Sequence, residues 1–441
     1  MTVSALPDVE APDSKSSLFK GGITTLTPQF GHWPEWFIDG QQEAWETYQR
    51  LPMPSRFDEA WRYANLKAVN LSSFSQAVSV KDPEALISRS VGLSELCSKL
   101  VFANEDLIYR DVKDLPESVI LLPLAEAARE HEGLFRGHFM TTKARLGSVK
   151  FAALHRARLR NGVFLHVPEG IVIERPIEVW HWVEGEHAAI FPHTLIVLGE
   201  GASVTVIDRF VSSRDEASLA CAVNDLTLGA DSNLCYVGVQ EWSSKMTAFH
   251  LNTTEVDKDA SSTALQMNLG GAYVRGESDS HLLGTGARSE MLSINPADGN
   301  REIDQRTFQD HFAPGATSDL LYHNALSDSS RTVFAGLIKV EEGAHETDAY
   351  QKVRNLMLSD DAEANSMPGL EILADNVRCT HGATSGELNE NELFYMMARG
   401  IPSTQAAQLI VRGFFGEILQ RLGDPILQEH LGGILDQKLG L

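Results

Sequence analysis

Hydrophobic and polar positions follow three different patterns along this chain. In the first 145 residues the pattern mixes helical and strand signals. Residues 41–50 lack Gly and Pro and place Trp45 and Tyr48 on one helical face, which predicts a helix. A second helical run is predicted for residues 57–64, and we expect its aromatic residues, Phe57 and Trp61, in the core.

From about residue 150 the pattern becomes a long series of short strands. The residues Val163, Leu165 and Val167 alternate with Phe164 and His166. Turns such as Pro-Glu-Gly at 168–170 separate one strand from the next. The same texture continues for about two hundred residues without helical patterns between the strands. This argues against a doubly wound α/β fold, in which a helix joins successive parallel strands.

A weak repeat lies inside this region. The dipeptide Gly-Ala begins at residues 201, 229, 271, 286, 315 and 343, at intervals of 28, 42, 15, 29 and 28; a seventh at 382 does not fit. A stack of coils with Gly-Ala at the same corner would produce such spacing, as in a parallel β-helix. Gly and Ala are common, so chance is the alternative, and the uninterrupted strand texture is the independent support.

Helical patterns return near the C-terminus. Residues 389–399 form a predicted helix with Asn389 as N-cap and Gly400 just beyond its end, and residues 404–422 form a longer one. The longer helix carries a broad apolar arc of Ala407, Ile410, Val411, Phe414, Phe415, Ile418 and Leu422. Either part of this arc faces a partner, or all of it packs on the β-region.

Composition narrows the class of protein. The 441 residues are too many for one small core and indicate two or three packing units. The net charge of −23 argues against sequence-independent binding to nucleic acid and against an anionic membrane surface, since both need clustered Lys and Arg.

The cysteines and the N-terminus predict the compartment. Only four cysteines occur and none form C-x-x-C, so neither a disulfide framework nor a self-contained zinc or cluster site is expected. Residues 1–20 look like a flexible arm rich in Ser, Pro and Asp, without the basic and apolar regions of a signal peptide. No apolar stretch reaches the length of a spanning helix. We therefore predict a cytoplasmic protein.

Motifs for nucleotide binding or hydrolysis are missing from the sequence. It contains no G-x-x-x-x-G-K-[ST], no G-x-S-x-G and no H-E-x-x-H. The exception of interest is Cys379-Thr-His381. In a strand these two side chains share a face, and thiolate and imidazole are both iron ligands.

Two ligands do not hold an iron–sulfur cluster, which usually takes four. A site here would need another subunit or further ligands such as Glu371 or Asp375. The alternative is a structural Cys beside a hydrogen-bonded His at a strand end.

Several segments resemble the SufB/SufD family of iron–sulfur cluster assembly proteins. The most specific are residues 336–359, GLIKVEEGAHETDAYQKVRNLMLS, and residues 367–384, MPGLEILADNVRCTHGAT. Residues 393–401, LFYMMARGI, and residues 52–66, PMPSRFDEAWRYANL, are also similar. Thr380-His381-Gly382 stands where SufB-type chains have an E-H-E triplet, which favours the SufD-type branch.

The resemblance implies a mainly β fold. Its parts would be an N-terminal helical or mixed domain (21–145), a right-handed parallel β-helix (146–384) and a C-terminal helical domain (385–441). It also implies a non-catalytic scaffold that binds no ATP itself.

The resemblance further implies two partners. SufC, an ABC-type ATPase, would dock on the C-terminal helices, and SufB would pair through the β-helix. A transient iron–sulfur cluster or iron would form at the SufB interface near His381 and Cys379. The residues expected to contact partners are Phe394, Tyr395, Arg399, Ile410, Phe414, Phe415 and Ile418.

Two other classes of protein fit the strand pattern. One is a purely structural β-helix homodimer, and such a chain could also form homodimers when expressed alone. The other is a carbohydrate-active β-helix enzyme, which would need an exposed groove of acids and aromatics and usually a secretion signal.

Overall fold

Strands dominate the fold, and among the described residues helices occur only before residue 163 and after residue 387. The computed structural model describes residues 22–25 and 33–441, so the arm predicted for residues 1–20 lies outside the described residues. The helices are α1 (Glu35–Arg50), α2 (Pro83–Arg89), α3 (Leu124–Glu130), α4 (Glu132–His138), α5 (Val149–Arg158), α6 (Glu390–Met397), α7 (Ser403–Gln420) and α8 (Pro425–Leu439). None of these helices has the length and apolar character needed to span a bilayer.

The strands form one long series. They are β1 (Ser75–Gln76), β2 (Ser98–Ala103), β3 (Asp106–Val112), β4 (Ile120–Pro123), β5 (Val163–Val167), β6 (Ile177–Val183), β7 (Ala188–Ile190), β8 (His193–Leu198), β9 (Ser203–Ser212), β10 (Leu219–Leu228), β11 (Asn233–Glu241), β12 (Thr247–Val256), β13 (Ser261–Asn268), β14 (Tyr273–Leu282), β15 (Arg288–Ala297), β16 (Glu302–His311), β17 (Thr317–Leu326), β18 (Arg331–Val340), β19 (Asp348–Met357), β20 (Glu363–Ile372) and β21 (Arg378–Glu387).

These strands wind into a β-solenoid of about eight turns, which confirms the mainly β prediction. From β8 onward, successive strands alternate between two sheets. Sheet one has the order β20-β18-β16-β14-β12-β10-β8-β5-β4, and sheet two has the order β21-β19-β17-β15-β13-β11-β9-β6-β2-β3. From β8 to β21 every pairing is parallel, so one coil consists of one strand from each sheet.

The two ends of the solenoid differ. At the N-terminal end β2 pairs with β6 and β4 pairs with β5, so strands from the N-terminal region continue both sheets. At the C-terminal end β20 pairs only with β18 and β21 only with β19 among the described strands. The last coil is therefore an open end with two free strand edges.

Inside the solenoid, alternate residues of each strand point to a shared interior. One part of this interior is apolar, with residues such as Val204, Leu234 and Leu282 from neighbouring coils. Another part is an asparagine ladder, in which Asn268 donates to Asn295 and Asn324 donates to Asn355, while Asn295 between them donates to the His323 carbonyl. Stacked coils place identical positions above one another, so a buried amide finds its partner in the next coil.

The Gly-Ala repeat marks real corners, but only in part. Gly201, Gly286 and Gly315 occupy equivalent turns from sheet one to sheet two, with φ of 64°, 74° and 68°. In the two coils between Gly201 and Gly286, Asp231 and Asp259 take the same left-handed conformation, with φ of 57° and 54°. The feature that these corners share is thus the left-handed backbone conformation, which Gly adopts freely and Asp tolerates.

The remaining Gly-Ala pairs do not occupy this position. Those at 229 and 343 lie elsewhere in the same set of turns, whereas the pair at 271 lies in the opposite turn, between β13 and β14. The interpretation of all six as one corner was therefore wrong in detail. The actual coil length, read from the positive-φ residues, varies from 27 to 31 residues.

The N-terminal region covers the outer face of sheet one. Trp61 packs on this face, with the Arg275 guanidinium 3.8 Å from the centre of its ring. The helix predicted for residues 41–50 is confirmed as part of α1, but residues 57–64 contain only a 3-10 turn, Glu59–Trp61. Phe57 is 83% exposed, so the expectation that it lies in the core is wrong. It lies in a turn between α1 and the 3-10 turn, and its neighbours Arg56 and Asp58 are exposed as well.

The C-terminal helices α7 and α8 cover the outer face of sheet two. Phe415, Ile418 and Leu431 are fully buried against strand residues such as Leu265 and Ile294. In contrast, α6 has no buried residue. The domain boundaries at 146 and 385 remain predictions; α5 lies after the first of them, and β21 extends past the second, to Glu387.

Candidate functional site

The open end of the solenoid exposes residues that are interior in every other coil. Leu370 and Ile372 occupy inner positions of β20, in register with the fully buried Ile338 and Val340 of β18. Yet they are 36% and 40% exposed, because the described chain places no further coil over them. An apolar interior left open at a free sheet edge is a surface suited to pairing with another chain.

Cys379 and His381 lie side by side on this open end. Both are on β21, and their strand neighbours on β19 are Ala349 and Gln351, two inner residues. The pattern of alternation therefore points both side chains toward the interior, as the spacing predicted. His381 is exposed, whereas Cys379 is half-buried.

The surroundings of Cys379 favour a protonated thiol. Its side chain packs at the edge of an apolar cluster that contains Ile338, Val340 and Ala349. This burial raises the pKa of the Cys379 thiol, and the negative charge of Asp348 raises it further. A thiolate is the form that binds metal, so a ligand role for Cys379 would require this proton to leave when the metal binds.

Neither Glu371 nor Asp375 joins these two residues. Glu371 lies on the outer face of sheet one, where Lys339 is its ion-pair partner at 4.0 Å. Asp375 lies in the turn before β21, and its backbone carbonyl accepts a hydrogen bond from His345. Among the residues that the structure describes, no group of three His, Cys, Asp or Glu side chains is arranged to hold a metal ion.

A second exposed surface lies on the C-terminal helices. Phe394 and Tyr395 of α6 are 72% and 55% exposed, and the Arg399 guanidinium lies 3.9 Å from the centre of the Tyr395 ring. Between α6 and α7 is an open cleft of about 450 Å³, to which Tyr395 and Ile410 contribute. We call this surface the α6 cleft, with the lining residues Asn391, Glu392, Tyr395, Met396 and Ile410.

The other three predicted contact residues face the solenoid. Phe415 and Ile418 are fully buried against sheet two and are not accessible to a partner in this arrangement. Phe414 stacks on His323 of β17, with the ring centres 4.2 Å apart and the planes at 10°. The broad apolar arc of α7 is thus mostly a packing face, because α7 is enclosed between sheet two and α8.

Several residues around these surfaces escaped the sequence interpretation. Gln351 lies directly beside His381 in the adjoining coil, and Arg354 joins β19 to Glu417 of α7 at 2.7 Å. The signal that could have found Gln351 is its distance of 30 residues from His381, which is one coil. A separation of 30 residues indicates a neighbour in space only when the strand register is known.

Comparison with known proteins places these features in one family. A model of the SufBD core domain of the SUF iron–sulfur cluster assembly system matches residues 181–414, and a model of the SufBD N-terminal region matches residues 30–179. The chain is 27% identical over 424 residues to the iron–sulfur cluster assembly protein SufD of Bacillus subtilis, covering 92% of this chain and 94% of that protein.

Staphylococcal proteins are similar to the same degree. An iron–sulfur cluster assembly SufBD family protein of Staphylococcus haemolyticus is 26% identical over 408 residues, covering 88% of this chain and 86% of that protein. A counterpart from Staphylococcus epidermidis is 25% identical over 434 residues, covering 94% and 92%. These matches run through both sheets and the open end.

Proposed function

The chain belongs to the SufBD family of iron–sulfur cluster assembly proteins, and on that premise we propose that it is a SufD-type scaffold subunit of a cytoplasmic SufBCD complex. In this role it pairs with SufB through the open end of the solenoid and binds the ATPase SufC through the α6 cleft. It contributes surfaces and ligands, and the chemical energy comes from the partner.

The open last coil is the observation on which the proposal depends. The edges of β20 and β21 have no described strand partner beyond them, and the inner residues Leu370 and Ile372 of β20 are exposed. Cys379 and His381 lie on β21 in the same coil. A partner strand added to β21 would satisfy the backbone and cover the apolar residues together. It would also bring its own side chains to His381, which lacks enough neighbours to hold the nascent cluster, the cargo of the complex.

The α6 cleft suits the ATPase partner. Tyr395, Phe394 and Arg399 are the residue types that supply most binding energy in protein interfaces, and here they are exposed around an apolar cleft. The adjoining α7 lies on sheet two and reaches β19 through the Glu417–Arg354 ion pair. Since β19 is the strand that pairs with β21, movement of the helices would reach the cluster site through one strand.

The first test addresses the ligand. His381→Ala, co-expressed with SufB and SufC, should abolish iron and sulfide accumulation on the complex, measured anaerobically, while the three subunits still co-purify. His187→Asn is the control, because His187 is an exposed histidine in the turn before β7, far from the open end. A fully loaded His381→Ala complex would refute the ligand assignment.

The second test addresses docking. Tyr395→Asp introduces a charge into the α6 cleft and should prevent SufC from co-purifying with the chain. Ile426→Asp is the matched control, because Ile426 is a 64% exposed apolar residue on α8 outside the cleft. Normal SufC recovery with Tyr395→Asp would rule out the cleft as docking site, and recovery of a second copy of the chain alone would favour a structural homodimer.

A further inference from the structure

Gln351 is a buried amide placed directly behind the exposed histidine of the open end. It is only 2% exposed, lies on the inner face of β19 and is the strand neighbour of His381. Room for its side chain comes from Gly336 across the interior, since a Cβ at that position would lie 2.3 Å from the Gln351 Nε2 atom. The backbone of β18 thus leaves space for this amide.

The hydrogen bonds of the interior determine which way the amide points. Gln309 of β16 donates from Nε2 to the Tyr350 carbonyl at 3.1 Å and to the Ser318 hydroxyl at 2.7 Å. A carbonyl only accepts, so the Gln309 amide has one possible orientation, with Oε1 as its acceptor. That Oε1 accepts from the Gln351 Nε2 atom at 3.3 Å.

This orientation leaves the Gln351 Oε1 atom as a free acceptor. It is buried and has no hydrogen-bond partner among the described residues. Other interior amides share this property, for example Gln305 of β16. What distinguishes Gln351 is its neighbour: the residue beside it in the next coil is His381, whose ring carries an N–H donor in either neutral tautomer.

We propose that Gln351 is a positioning residue for His381, accepting a hydrogen bond from one ring nitrogen at Oε1 and so leaving the other nitrogen unprotonated toward the open end. Imidazole ligands of metals are usually held in this manner by an acceptor on the far nitrogen, which selects the tautomer and the ring orientation. The chain Ser318–Gln309–Gln351 is then a fixed support that ends at the ligand. This inference rests on the proposed function of His381 but concerns its ring state, which is measurable without a cluster.

The test compares three variants of the full chain. Gln351→Leu removes the acceptor, Gln305→Leu controls for loss of a buried interior amide away from His381, and His381→Asn serves for assignment. Histidine-labelled protein at one fixed pH gives the ring ¹⁵N signals, with the His381 signal assigned by its loss in His381→Asn. The tautomer ratio is the readout, and a merely structural amide would not change it.

In Gln351→Leu we expect the His381 tautomer ratio to shift by roughly fivefold toward a mixture, the effect of one typical hydrogen bond on an equilibrium. Gln305→Leu should match the unaltered chain. In the co-expressed complex, Gln351→Leu should retain roughly tenfold less iron under dilution, as for other supports of a ligating histidine.

The two assignments fail separately. An unchanged tautomer ratio in Gln351→Leu, or the same change in Gln305→Leu, would overturn the positioning role while leaving the His381→Ala result untouched. A fully loaded His381→Ala complex would overturn the ligand assignment, and the tautomer ratio would still decide whether Gln351 holds the ring.

Discussion

Single buried charges join the N-terminal region to the solenoid. Arg275 is fully buried and donates to Glu277 at 2.7 Å and to Asp304 at 2.5 Å, both on the outer face of sheet one. Its Nη2 atom also donates to the carbonyls of Ala60 and Leu146 in the N-terminal region. A buried guanidinium needs all of these partners to offset its desolvation, so the residue fixes the position of two loops at once.

Glu105 is another buried ionisable residue, and we expect it to make the stability of the fold depend on pH. It lies in the tight β2–β3 turn with φ of 70°, accepts hydrogen bonds from the Arg160 amide and from Gln76, and burial raises its pKa to about 7. The folded chain therefore holds a proton that the unfolded chain releases above about pH 4.5. The stabilisation from this site is present below that pH and is lost as the pH rises toward 7.

Glu105→Gln should remove a slope of at most about 1.4 kcal/mol per pH unit from the free energy of unfolding between about pH 4.5 and 7. Urea unfolding at several pH values measures the slope, which is informative even if the variant is less stable throughout. Glu46→Gln, at an exposed position of α1, is the control. Parallel curves for Glu105→Gln and the unaltered chain would contradict the prediction.

At the scale of elements, the attachment of α7 to the solenoid depends on a few side chains. Besides its apolar face, α7 contacts sheet two through Arg421, which pairs with Glu290 and Asp319, and through the Glu417–Arg354 pair. His323 donates from Nδ1 to the Phe414 carbonyl at 2.8 Å while its ring stacks on the Phe414 ring. The helix is thus held by polar contacts as well as by apolar burial.

His323 should make this attachment sensitive to acid. Burial lowers the pKa of His323 to about 4, and the positive charges of Arg354 and Lys352 act in the same direction. The Phe414 carbonyl and Glu417 raise the pKa, but they do not offset the burial. The neutral ring stabilises the fold above about pH 6.5, and this contribution is lost as the pH falls toward 4. Hydrogen exchange of α7, corrected for intrinsic rates, should therefore accelerate over this range.

His323→Phe keeps the stacking and removes the titrating group, so α7 should lose this pH dependence although its protection is lower overall. The exposed His345→Gln is the control. Equal pH dependence in His323→Phe and in the unaltered chain would show that another group is responsible.

The asparagine ladder predicts the cost of interrupting a coil-to-coil contact. Asn324→Ala leaves the Asn355 Oδ1 atom without its donor at 2.7 Å and should lower the free energy of unfolding by about 1–3 kcal/mol. Asn365→Ala, on the outer face of β20, should change it by less than about 0.5 kcal/mol. Comparable urea midpoints for the two variants would argue that the ladder is not a stabilising element.

At the scale of the whole molecule, the asymmetry of the solenoid is the main feature. The first coil is continued by β2, β3 and β4, whereas the last coil is followed directly by α6, and no other described strand pairs with the edges of β20 and β21. A solenoid needs a covered end to protect its interior. We infer that the covering element is the partner chain.

Leu373→Glu should therefore prevent pairing with SufB while leaving the thermal unfolding of the isolated chain unchanged. Leu373 is 52% exposed in the turn that follows β20. Leu283, 47% exposed, occupies the equivalent turn three coils earlier, which makes Leu283→Glu a matched control. Co-purification and size-exclusion chromatography measure the outcome, and intact pairing in Leu373→Glu would place the interface elsewhere.

The sequence by itself determined the local structure and the family. Strand texture, the caps of α6 and the motif around Cys379 and His381 are properties of neighbouring residues, so they can be read from a short window. Even the corner repeat was visible, although four of its members are not glycine, because the backbone requires a left-handed conformation and not a particular residue. These four are Asp231, Asp259, Glu346 and Asn376.

Only the tertiary structure decided which residues of those elements face a partner and which are interior. Phe415 and Ile418 belong to the same arc as Ile410, yet α7 buries the first two against sheet two. Gln351 and Arg354 gained their significance from strand register, which joins residues one coil apart. Burial and register depend on contacts between distant segments, and the pattern along one segment does not contain them.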